Sequence, residues 1–429
     1  MKAVVLAAGE GTRLRPLTNT RPKHLIPVGG KPILEHVLLT LKEAGVREVC
    51  LIVGYKAEMI KNRFSDGSSL GLKIEYAVQP KLLGTADAIK TAQPYVEENF
   101  LVVYGDLLFT PEAIISILKT HKQNKPSVTM AVTPVTNPER YGVVKLEDGW
   151  VVDLIEKPPK EEAPSNLVNA GIYAFSEEIF EKIERTKPSP RGELEITDSL
   201  KLLMAEGHKV LAEKIPPEEW IDTGYPWNLL EANEWVLKRA ESFIKGDVEA
   251  GAILTGKVII EEGARIRAGA YIEGPVYIGR NADVGPNCYV RPYTSIGNRV
   301  RIGNACEIKN SIIMDGTHIA HLSYVGDSII GENCNFGAGT TIANLRFDRK
   351  TIKMKIKEEK VDSGRKKFGV VFGDNVSTGI GACFMPGVKV GNDCWIDAGA
   401  VVKDDVPPKI FVKLGQNLKY SPLEEHCQG

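Results

Sequence analysis

Two hydrophobic periodicities divide the chain. Up to about residue 243, short β-branched runs alternate with longer amphipathic stretches, which is typical of a mostly parallel sheet covered by helices. The runs predict strands over residues 3–8, 49–53, 74–78, 100–104 and 128–132. The amphipathic stretches predict helices over residues 33–44, 57–64, 86–92, 111–121, 196–206 and 226–244. The first part of the chain is therefore predicted to be an α/β domain.

After Gly251 the apolar positions recur every six residues. The aliphatic side chains in phase are Ile260, Ile266, Ile272, Ile278, Val284, Val290, Ile296, Ile302 and Ile308. Four residues after each lies a small or modest side chain: Ala264, Ala270, Val276, Ala282, Cys288, Thr294, Val300, Cys306 and Ile312. This hexapeptide repeat predicts a parallel β-helix, in which three six-residue sides form one coil and both sets point inward.

The repeat is interrupted twice. Its register slips near Ile313 and resumes at Ile319, and a basic insertion, residues 345–369, carries ten Lys and Arg against four Asp and Glu. A third block then runs through Phe372, Thr378, Phe384, Val390, Ile396 and Val402. Within the insertion, the alternation of Ile352, Met354 and Ile356 and the turn residues 362–364 predict a protruding β-hairpin. The insertion is either a solvated arm or a grip for anionic groups.

Composition excludes several classes of function. Lys and Arg number 54 against 55 Asp and Glu, so no overall field draws the protein to nucleic acid or to an anionic membrane. The seven cysteines form no Cys-x-x-Cys pair, and their odd number argues against a complete disulfide framework. The apolar start is broken at Gly9, too early for a signal peptide, and no stretch approaches the roughly 20 apolar residues of a membrane span. We expect a soluble, cytoplasmic protein.

The length of 429 residues predicts two domains. Gly246 and Gly251 mark their boundary, which gives an α/β domain over 1–245 and a β-helix domain over 246–409. The tail, 410–429, is expected to be either a short helix or disordered.

A glycine-rich string, LAAGEGTRLRPLTNTRPKHL, follows the first predicted strand. Gly9 and Gly11 would let the backbone approach a phosphate chain so that consecutive N–H groups point at its oxygens. Arg13 could chelate phosphate with its planar guanidinium, and Lys23 would add a point charge. A bare Gly-x-Gly is a weak signal, whereas the whole string is a strong one.

Together with RPKHLIPVGGKPI, QPKLLGTADAI, YGD, EKP, PSPRGELEITD and WIDTG, this string makes residues 1 to about 240 resemble the sugar-1-phosphate nucleotidylyltransferases. The resemblance implies a Rossmann-like fold, with Gly11, Thr12 and Arg13 on the triphosphate and Lys23 on the α-phosphate or sugar phosphate. It implies that Gln79, Gly84 and Thr85 read the pyrimidine edge and the ribose. It assigns the sugar phosphate to Gly142, Glu156, Lys157, Asn169 and Glu195.

By the same resemblance, Asp106 of YGD and Asp222 of WIDTG would hold Mg²⁺. Mg²⁺ is usually held by one or two carboxylates plus substrate phosphates, and the ends of parallel strands are where such folds bind ligands. Taken singly, Asp106 could instead cap the helix that begins at Pro111, and Asp222 could be a turn residue. The implied reaction needs no general base, because the sugar phosphate is already ionised; Arg13, Lys23 and Lys157 would neutralise charge.

The string AHLSYVGDSIIGENCNFGAGTTIANL resembles the acetyltransferase half of bifunctional enzymes that make UDP-N-acetylglucosamine, whose β-helix is left-handed. The resemblance makes His321 the base that takes a proton from the substrate amine. Histidine as a residue type suits this role, because the pKa of a free imidazole side chain, about 6.5, lies near working pH. It places Tyr324, Asn335 and Asn344 at the sugar phosphate or intermediate, and Arg291 and Lys309 at the sugar phosphate. His318 is interpreted as a turn residue at the register slip, and the same alternative stands for His321.

The chain departs from that family in three ways. Ile380 stands where a serine contacts acetyl-CoA, and Lys413 stands where an arginine is expected; Ala338 belongs to the same acetyl-CoA set. The basic insertion is typical of an archaeal-type variant, in which Lys350 and Lys353 would lie near the acyl-acceptor site of a neighbouring subunit. The resemblance implies a homotrimer assembled through the β-helix.

We therefore expect a bifunctional enzyme. It would use acetyl-CoA to acetylate glucosamine or galactosamine 1-phosphate, and then UTP or dTTP with Mg²⁺ to make a nucleotide sugar and pyrophosphate. One alternative is a single-activity glucose-1-phosphate thymidylyltransferase or mannose-1-phosphate guanylyltransferase with a structural β-helix. Another is a regulatory assembly subunit that lacks the chemistry.

Overall fold

The chain forms two compact units. A computed structural model describes residues 1–418 and 420. The first unit is Met1–Ala240, and the second begins at Glu241. Among the described residues, no helix is both long enough and apolar enough to cross a membrane.

The first unit is built on a mixed β-sheet. Its strands are Lys2–Ala7 (β1), Pro27–Val28 (β2), Lys31–Pro32 (β3), Glu48–Val53 (β4), Lys73–Val78 (β5), Asn99–Tyr104 (β6), Leu107–Phe109 (β7), Val128–Pro134 (β8), Gly142–Glu147 (β9), Trp150–Glu156 (β10), Leu167–Ser176 (β11), Val210–Lys214 (β12) and Trp220–Asp222 (β13). One sheet has the order β5-β4-β1-β6-β11-β8-β12-β10-β9. β5, β4, β1 and β6 are parallel, but β11 runs antiparallel to both of its main neighbours, and β9 and β10 form a hairpin. The prediction of a mostly parallel sheet is therefore wrong for the second half of the sheet.

Helices cover both faces of this sheet. They are Ile33–Glu43 (α1), Ala57–Phe64 (α2), Thr85–Thr91 (α3), Pro111–Asn124 (α4), Ile179–Arg185 (α5), Ile196–Ala205 (α6) and Pro226–Arg239 (α7). Side chains alternate along a strand, so Val5 of β1 joins a core with α1, α2 and α4, while Val4 joins one with α3, α5 and α6. The predicted helix 226–244 is shorter than expected, because Phe243–Ile244 instead pairs in parallel with Val258–Ile260.

Three stacks of short parallel strands build the second unit in the part of the chain that the structure describes. The first stack is Phe243–Ile244, Val258–Ile260, Val276–Ile278, Thr294–Ile296, Ile312–Ile313, Ile329–Ile330, Val371–Phe372 and Lys389–Val390. The second is Asp247–Val248, Arg265–Ile266, Asp283–Val284, Arg301–Asn304, His318–His321, Asn335–Phe336, Ser377–Thr378, Trp395–Ile396 and Phe411–Val412. The third is Ile253–Thr255, Tyr271–Glu273, Tyr289–Val290, Glu307–Lys309, Tyr324–Gly326, Thr341–Ile342, Cys383–Phe384 and Val401–Val402.

These stacks confirm the predicted parallel β-helix. All nine aliphatic positions of the first repeat block belong to one buried core. Ile278 pairs with Ile296, and Ile296 pairs with Ile313, so one coil advances by 18 residues and the next by 17. The coil that is one residue shorter accounts for the register slip near Ile313. The inward-facing side chains stay in phase across the slip, because the strands of each coil pair directly with those of the previous coil.

The basic insertion forms a hairpin that lies against the β-helix. Lys353–Ile356 pairs antiparallel with Glu359–Asp362, so the chain reverses at residues 357–358 and not at the predicted turn 362–364. The prediction of a protruding hairpin is wrong, because Ile352, Met354 and Ile356 are buried. A Cβ on Gly387 would lie 2.9 Å from the Ile352 side chain, which places the hairpin directly against the outside of a coil. Burial of the three apolar side chains favours this packing. The lysines that alternate with them stay exposed, so their charges remain solvated.

Candidate active sites

The glycine-rich loop follows β1 and packs around the stem of Lys23. Gly11 has φ +67°, and a Cβ there would lie 2.9 Å from the Cβ of Lys23, so only glycine fits. The Thr18 hydroxyl donates to the Gly11 carbonyl at 2.9 Å and holds the loop in this turn. Thr12 and Arg13 follow in a short 3₁₀ turn, Thr12–Leu14. A Cβ on Gly9 would meet Lys23 only at ordinary contact distance, 3.6 Å, so the protein itself does not require glycine at position 9.

The two predicted magnesium ligands meet on a two-stranded ribbon. β13 pairs antiparallel with β7, and Asp222 lies opposite Leu107, the residue after Asp106. The Thr223 hydroxyl donates to the Asp106 carbonyl at 2.6 Å, and Lys23 forms an ion pair with the Asp106 carboxylate. Two residues distant by 116 positions in sequence are thus brought side by side through β-pairing.

The alternative roles of the two aspartates have different outcomes. The N-cap of α4 is Thr110, so Asp106 does not cap that helix. Asp222 does act in a turn, because it accepts the Gly224 backbone N–H at 2.9 Å. Its other oxygen accepts the Tyr141 hydroxyl at 3.2 Å, which aims the carboxylate into the cleft.

The charges of this pair suit a divalent cation. Burial raises the pKa of Asp222, and the negative charge of Asp106 raises it further, against the lowering effect of Lys23. Burial also acts to raise the pKa of Asp106, but its neighbours, Lys23 first among them, outweigh burial and lower it. Lys23 therefore neutralises the pair only in part. Two carboxylates are oxygen donors of the kind that Mg²⁺ takes from a protein, and Mg²⁺ usually completes its coordination with substrate phosphates and water.

A cleft of about 210 Å³ lies beside the carboxylates. The predicted residues that line it are Arg13, Thr85, Asp106, Gly142, Glu156, Lys157, Asn169, Glu195 and Asp222. Gly142 and Glu156 are direct partners across the β9–β10 hairpin, and a Cβ on Gly142 would touch the Glu156 carboxylate at 3.0 Å. Lys157 has φ +46°, an uncommon conformation for lysine, and its ammonium lies 3.1 Å from Glu156. The sugar-phosphate set predicted from sequence is therefore brought together.

Sequence reasoning did not single out three further lining residues. Arg191 contacts the Glu195 carboxylate at 2.8 Å. The guanidinium groups of Arg13 and Arg140 lie 5.2 and 5.6 Å from the centroid of the Tyr225 ring. Arg191 lies within the string PSPRGELEITD and Tyr225 directly follows WIDTG, so the motifs carried a signal for these two, whereas Arg140 lies in none of the quoted motifs. Two guanidinium groups within cation–π range of one ring give this side of the cleft a positive charge that suits a phosphate-bearing substrate.

The predicted base-reading residues lie at the end of β5. Gln79 is buried and follows directly on β5, and its amide donates to the Gly84 carbonyl at 3.2 Å. Gly84 has φ +125° and packs against Leu194, where a Cβ would come within 2.4 Å of the backbone oxygen. Thr85 accepts the backbone N–H of Ile196 at 3.0 Å. These contacts join the base-reading loop to the start of α6.

In the second unit, two of the predicted acceptor residues, Lys309 and Asn344, contact a carboxylate that was not predicted, Asp327. Its side chain is 3% exposed, and it accepts Asn344 at 2.6 Å and lies 3.2 Å from the Lys309 ammonium. The Asn344 amide also donates to the Tyr324 hydroxyl at 3.1 Å. The Asn310 side-chain amide also donates to the Asp327 carboxylate, at 2.7 Å. Arg291, on the preceding coil, pairs with Glu307 at 2.9 Å.

His321 belongs to a different stack of strands from Lys309 and Tyr324, which lie in the third stack. It ends the strand His318–His321 of the second stack and its side chain is exposed. Gly339 donates its N–H to the His321 carbonyl, and Gly381 donates to the Ala338 carbonyl, so His321, Ala338 and Ile380 occupy one column on successive coils. Both histidines lie in a strand, which corrects the turn interpretation of His318.

The remaining predicted residues are spread out. Asn335 pairs with His318 and not with His321. Lys413 follows the strand Phe411–Val412 on the last coil, and its ammonium lies over the Phe411 ring at 5.4 Å. Lys350 and Lys353 are exposed at the base of the insertion hairpin. The part of the predicted tail at residues 419 and 421–429 lies outside the described residues.

Comparisons with known proteins cover both units. A family model described as nucleotidyl transferase matches residues 2–239, one described as GMPPB C-terminal domain matches 272–383, and one described as hexapeptide repeat of succinyl-transferase matches 369–403. A "Bifunctional protein GlmU" of Methanocaldococcus jannaschii is 47% identical over 99% of this chain and 100% of its own length. A "Bifunctional sugar-1-phosphate nucleotidylyltransferase/acetyltransferase" of Sulfurisphaera tokodaii is 43% identical over 96% of this chain and 100% of its own. A crystal structure of a putative glucose-1-phosphate thymidylyltransferase from Bacillus anthracis is 31% identical, covers 57% of this chain and 97% of that one, and superposes with a TM-score of 0.51.

Proposed function

Because the chain belongs to the family of bifunctional sugar-1-phosphate nucleotidylyltransferase/acetyltransferases, we propose that it carries out two steps of nucleotide-sugar synthesis in the cytoplasm. Its β-helix unit transfers an acetyl group from acetyl-CoA to glucosamine or galactosamine 1-phosphate. Its α/β unit then joins the N-acetyl sugar 1-phosphate to UTP, with release of pyrophosphate. The observation that carries the proposal is the ribbon that places Asp106 and Asp222 together beside a cleft lined by Arg13 and Lys157.

The first unit acts by positioning and by charge. A sugar-phosphate oxygen, ionised at neutral pH, attacks the α-phosphorus, and the bond to the pyrophosphate oxygen breaks. Backbone N–H groups of the Gly9–Gly11 loop and the guanidinium of Arg13 hold the triphosphate, while Lys23 and Lys157 approach the reacting phosphates. Asp106 and Asp222 would hold Mg²⁺, which when bound neutralises charge on the phosphates.

The second unit acts through a base and a cationic anchor. His321 removes a proton from the substrate amine as the nitrogen attacks the thioester carbon, and the thiolate of coenzyme A leaves. Lys309 and Arg291 bind the sugar phosphate, and Tyr324 and Asn344 contact the sugar or the intermediate. Ala338 and Ile380 on the His321 column, with Lys413 beyond them, contact acetyl-CoA. Asn335 is a further contact to the sugar phosphate or the intermediate. The β-helix is left-handed and assembles as a homotrimer. In the trimer, Lys350 and Lys353 reach the acceptor site of a neighbouring subunit.

Dissecting the two activities tests this proposal. His321→Ala is expected to abolish acetyl transfer, followed as free thiol, and to leave pyrophosphate release intact; His318→Ala, in the same strand, is the matched control and should retain both. Asp222→Asn is expected to give the reverse pattern. If the unmodified protein shows no acetyl transfer, the β-helix is structural. If it releases pyrophosphate with none of UTP, dTTP or GTP and none of the sugar 1-phosphates, the proposed chemistry is absent.

The panel of substrates has a specific reason to include dTTP and glucose 1-phosphate. The first unit superposes on a structure named as a putative glucose-1-phosphate thymidylyltransferase at 31% identity. Acceptance of dTTP with glucose 1-phosphate would place this unit among enzymes that use both uracil and thymine nucleotides. Sedimentation equilibrium of the full chain tests the trimer, since a monomer at micromolar concentration would contradict it.

A further inference from the structure

One buried amide in the nucleotide unit has only one possible orientation. Gln79 lies at the carboxyl end of β5, where its backbone N–H donates to Val53 at 2.9 Å, and it is 4% exposed. Its Nε2 donates to the Asp87 carboxylate at 2.7 Å and to the Gly84 carbonyl at 3.2 Å. Both partners can only accept hydrogen bonds when Asp87 is ionised.

The chemistry of the two partners decides which atom of the Gln79 amide faces them. Rotating the amide by half a turn would put Oε1 against a carboxylate oxygen and a carbonyl oxygen, which removes two hydrogen bonds and adds two repulsions. The nitrogen therefore faces Asp87 and Gly84, and the oxygen, a pure acceptor, is the group that Gln79 offers elsewhere. β5, β4 and β1 are adjacent parallel strands, so this acceptor lies at the same sheet edge as the phosphate-binding loop after β1.

We infer that Asp87 is a positioning residue that orients the Gln79 amide and thereby makes the site select, among pyrimidine nucleotides, those whose base carries an N–H at N3. The inference rests on the proposed function, in which Gln79 meets the base edge. Uracil and thymine present an N3–H donor, which matches Oε1. Cytosine presents a bare N3 acceptor, so two acceptors would face each other. A wrong partner in a buried polar site is penalised strongly, because both groups stay unpaired.

Asp87 also lies in the first turn of α3, where an acidic side chain favours a helix whatever ligand binds nearby. The two roles predict different readouts. A helix-stabilising role would change the rates with all nucleotides in the same proportion. A positioning role changes the ratio between nucleotides, and the ratio is insensitive to the fraction of protein that is correctly folded.

The experiment measures kcat/KM for UTP, dTTP and CTP with one sugar 1-phosphate, by pyrophosphate release from the full-length chain. The unmodified protein is expected to prefer UTP and dTTP over CTP by about 100-fold or more. Asp87→Ala is expected to reduce the UTP/CTP and dTTP/CTP ratios of kcat/KM by about tenfold or more, since the Gln79 amide is then held by Gly84 alone. Asp87→Asn keeps an acceptor oxygen for Nε2 and should stay within about threefold of the unmodified ratio. Glu112→Ala, which removes an exposed first-turn acid from α4, is the matched control and should leave the ratios unchanged.

The outcomes separate the two claims. If UTP reacts but CTP reacts equally well, or if Asp87→Ala retains the full preference, the role of Asp87 is refuted and the proposed function stands. If Asp87→Ala lowers the rates with all three nucleotides in proportion, Asp87 is only a helix-stabilising residue. If no nucleotide yields pyrophosphate with any sugar 1-phosphate, the proposed function fails and takes the inference with it.

Discussion

Replacing Asp327 tests whether one buried carboxylate organises the acetyl-acceptor site. Asp327→Asn keeps the shape of the side chain but removes its charge and turns one acceptor oxygen into a donor. In the structure, that carboxylate accepts Asn310 and Asn344 and pairs with Lys309, and Arg365 of the basic insertion lies 4.0 Å away. The variant would therefore confront at least one of these donors with another donor.

The magnitude follows from burial. Breaking a buried, hydrogen-bonded ion pair by neutralising one partner costs about 3–5 kcal/mol when both groups are fully enclosed. Lys309 keeps 20% exposure and can regain some hydration, so we expect a loss of about 2–4 kcal/mol in the free energy of unfolding of the second unit. Because Lys309 and Asn344 lose their common anchor, KM for the amino-sugar phosphate is expected to rise by about 10-fold to 100-fold, with a smaller change in KM for acetyl-CoA.

Urea unfolding and acetyl-transfer kinetics measure these effects, and pyrophosphate release by the first unit serves as the internal control. Asp315→Asn is the matched variant, since Asp315 is another coil-corner carboxylate, with the backbone and side-chain amides of Asn298 as partners. It should cost about 1 kcal/mol and leave KM for the amino sugar unchanged. If Asp327→Asn loses less than about 1 kcal/mol and keeps its KM, the cluster does not organise the site.

Four further predictions concern the loop, the metal site and the insertion. Gly11→Ala forces a Cβ to within 2.9 Å of Lys23 at φ +67°, so it should destabilise the first unit by about 1–3 kcal/mol and abolish nucleotide binding measured by calorimetry, while acetyl transfer persists. Burial raises the pKa of Asp222 in the folded state. The stability that the protonated side chain contributes is therefore present below the unfolded pKa of about 3.9 and is lost as pH rises through the folded pKa. Asp222→Asn should raise the melting temperature of the metal-free protein at neutral pH, and an unchanged or lower melting temperature would contradict the charge argument. For the same reason Mg²⁺ should bind more weakly as pH falls through that pKa, which calorimetry can follow. Ile352→Ala should cost about 2–4 kcal/mol and expose the insertion to trypsin, whereas equal trypsin resistance would show that the hairpin does not depend on this contact.

Local pattern was enough for the regular parts of both units. The six-residue period marks which side chains point inward, because each side of a coil contributes the same few positions and every coil repeats them. The glycine-rich string, YGD and WIDTG pointed to Arg13, Asp106 and Asp222, which the structure brings to one cleft. These features are local, since a period or a motif depends on neighbours within about twenty residues.

Only tertiary structure decided which distant segments meet. The strand β11 runs antiparallel to its neighbours, and the insertion hairpin packs against the outside of a coil. The local sequence could not predict either feature, because each depends on a partner surface elsewhere in the chain. Asp327 is the clearest example: its own neighbours read as one more turn of the repeat, yet the coil below and the coil above bring Lys309 and Asn344 to its carboxylate. Periodicity determines which side chains are buried, whereas the stacking of coils determines which group lies next to a buried charge. The physical reason is that a buried charge without a partner costs several kcal/mol, so only an arrangement of coils that supplies one is stable.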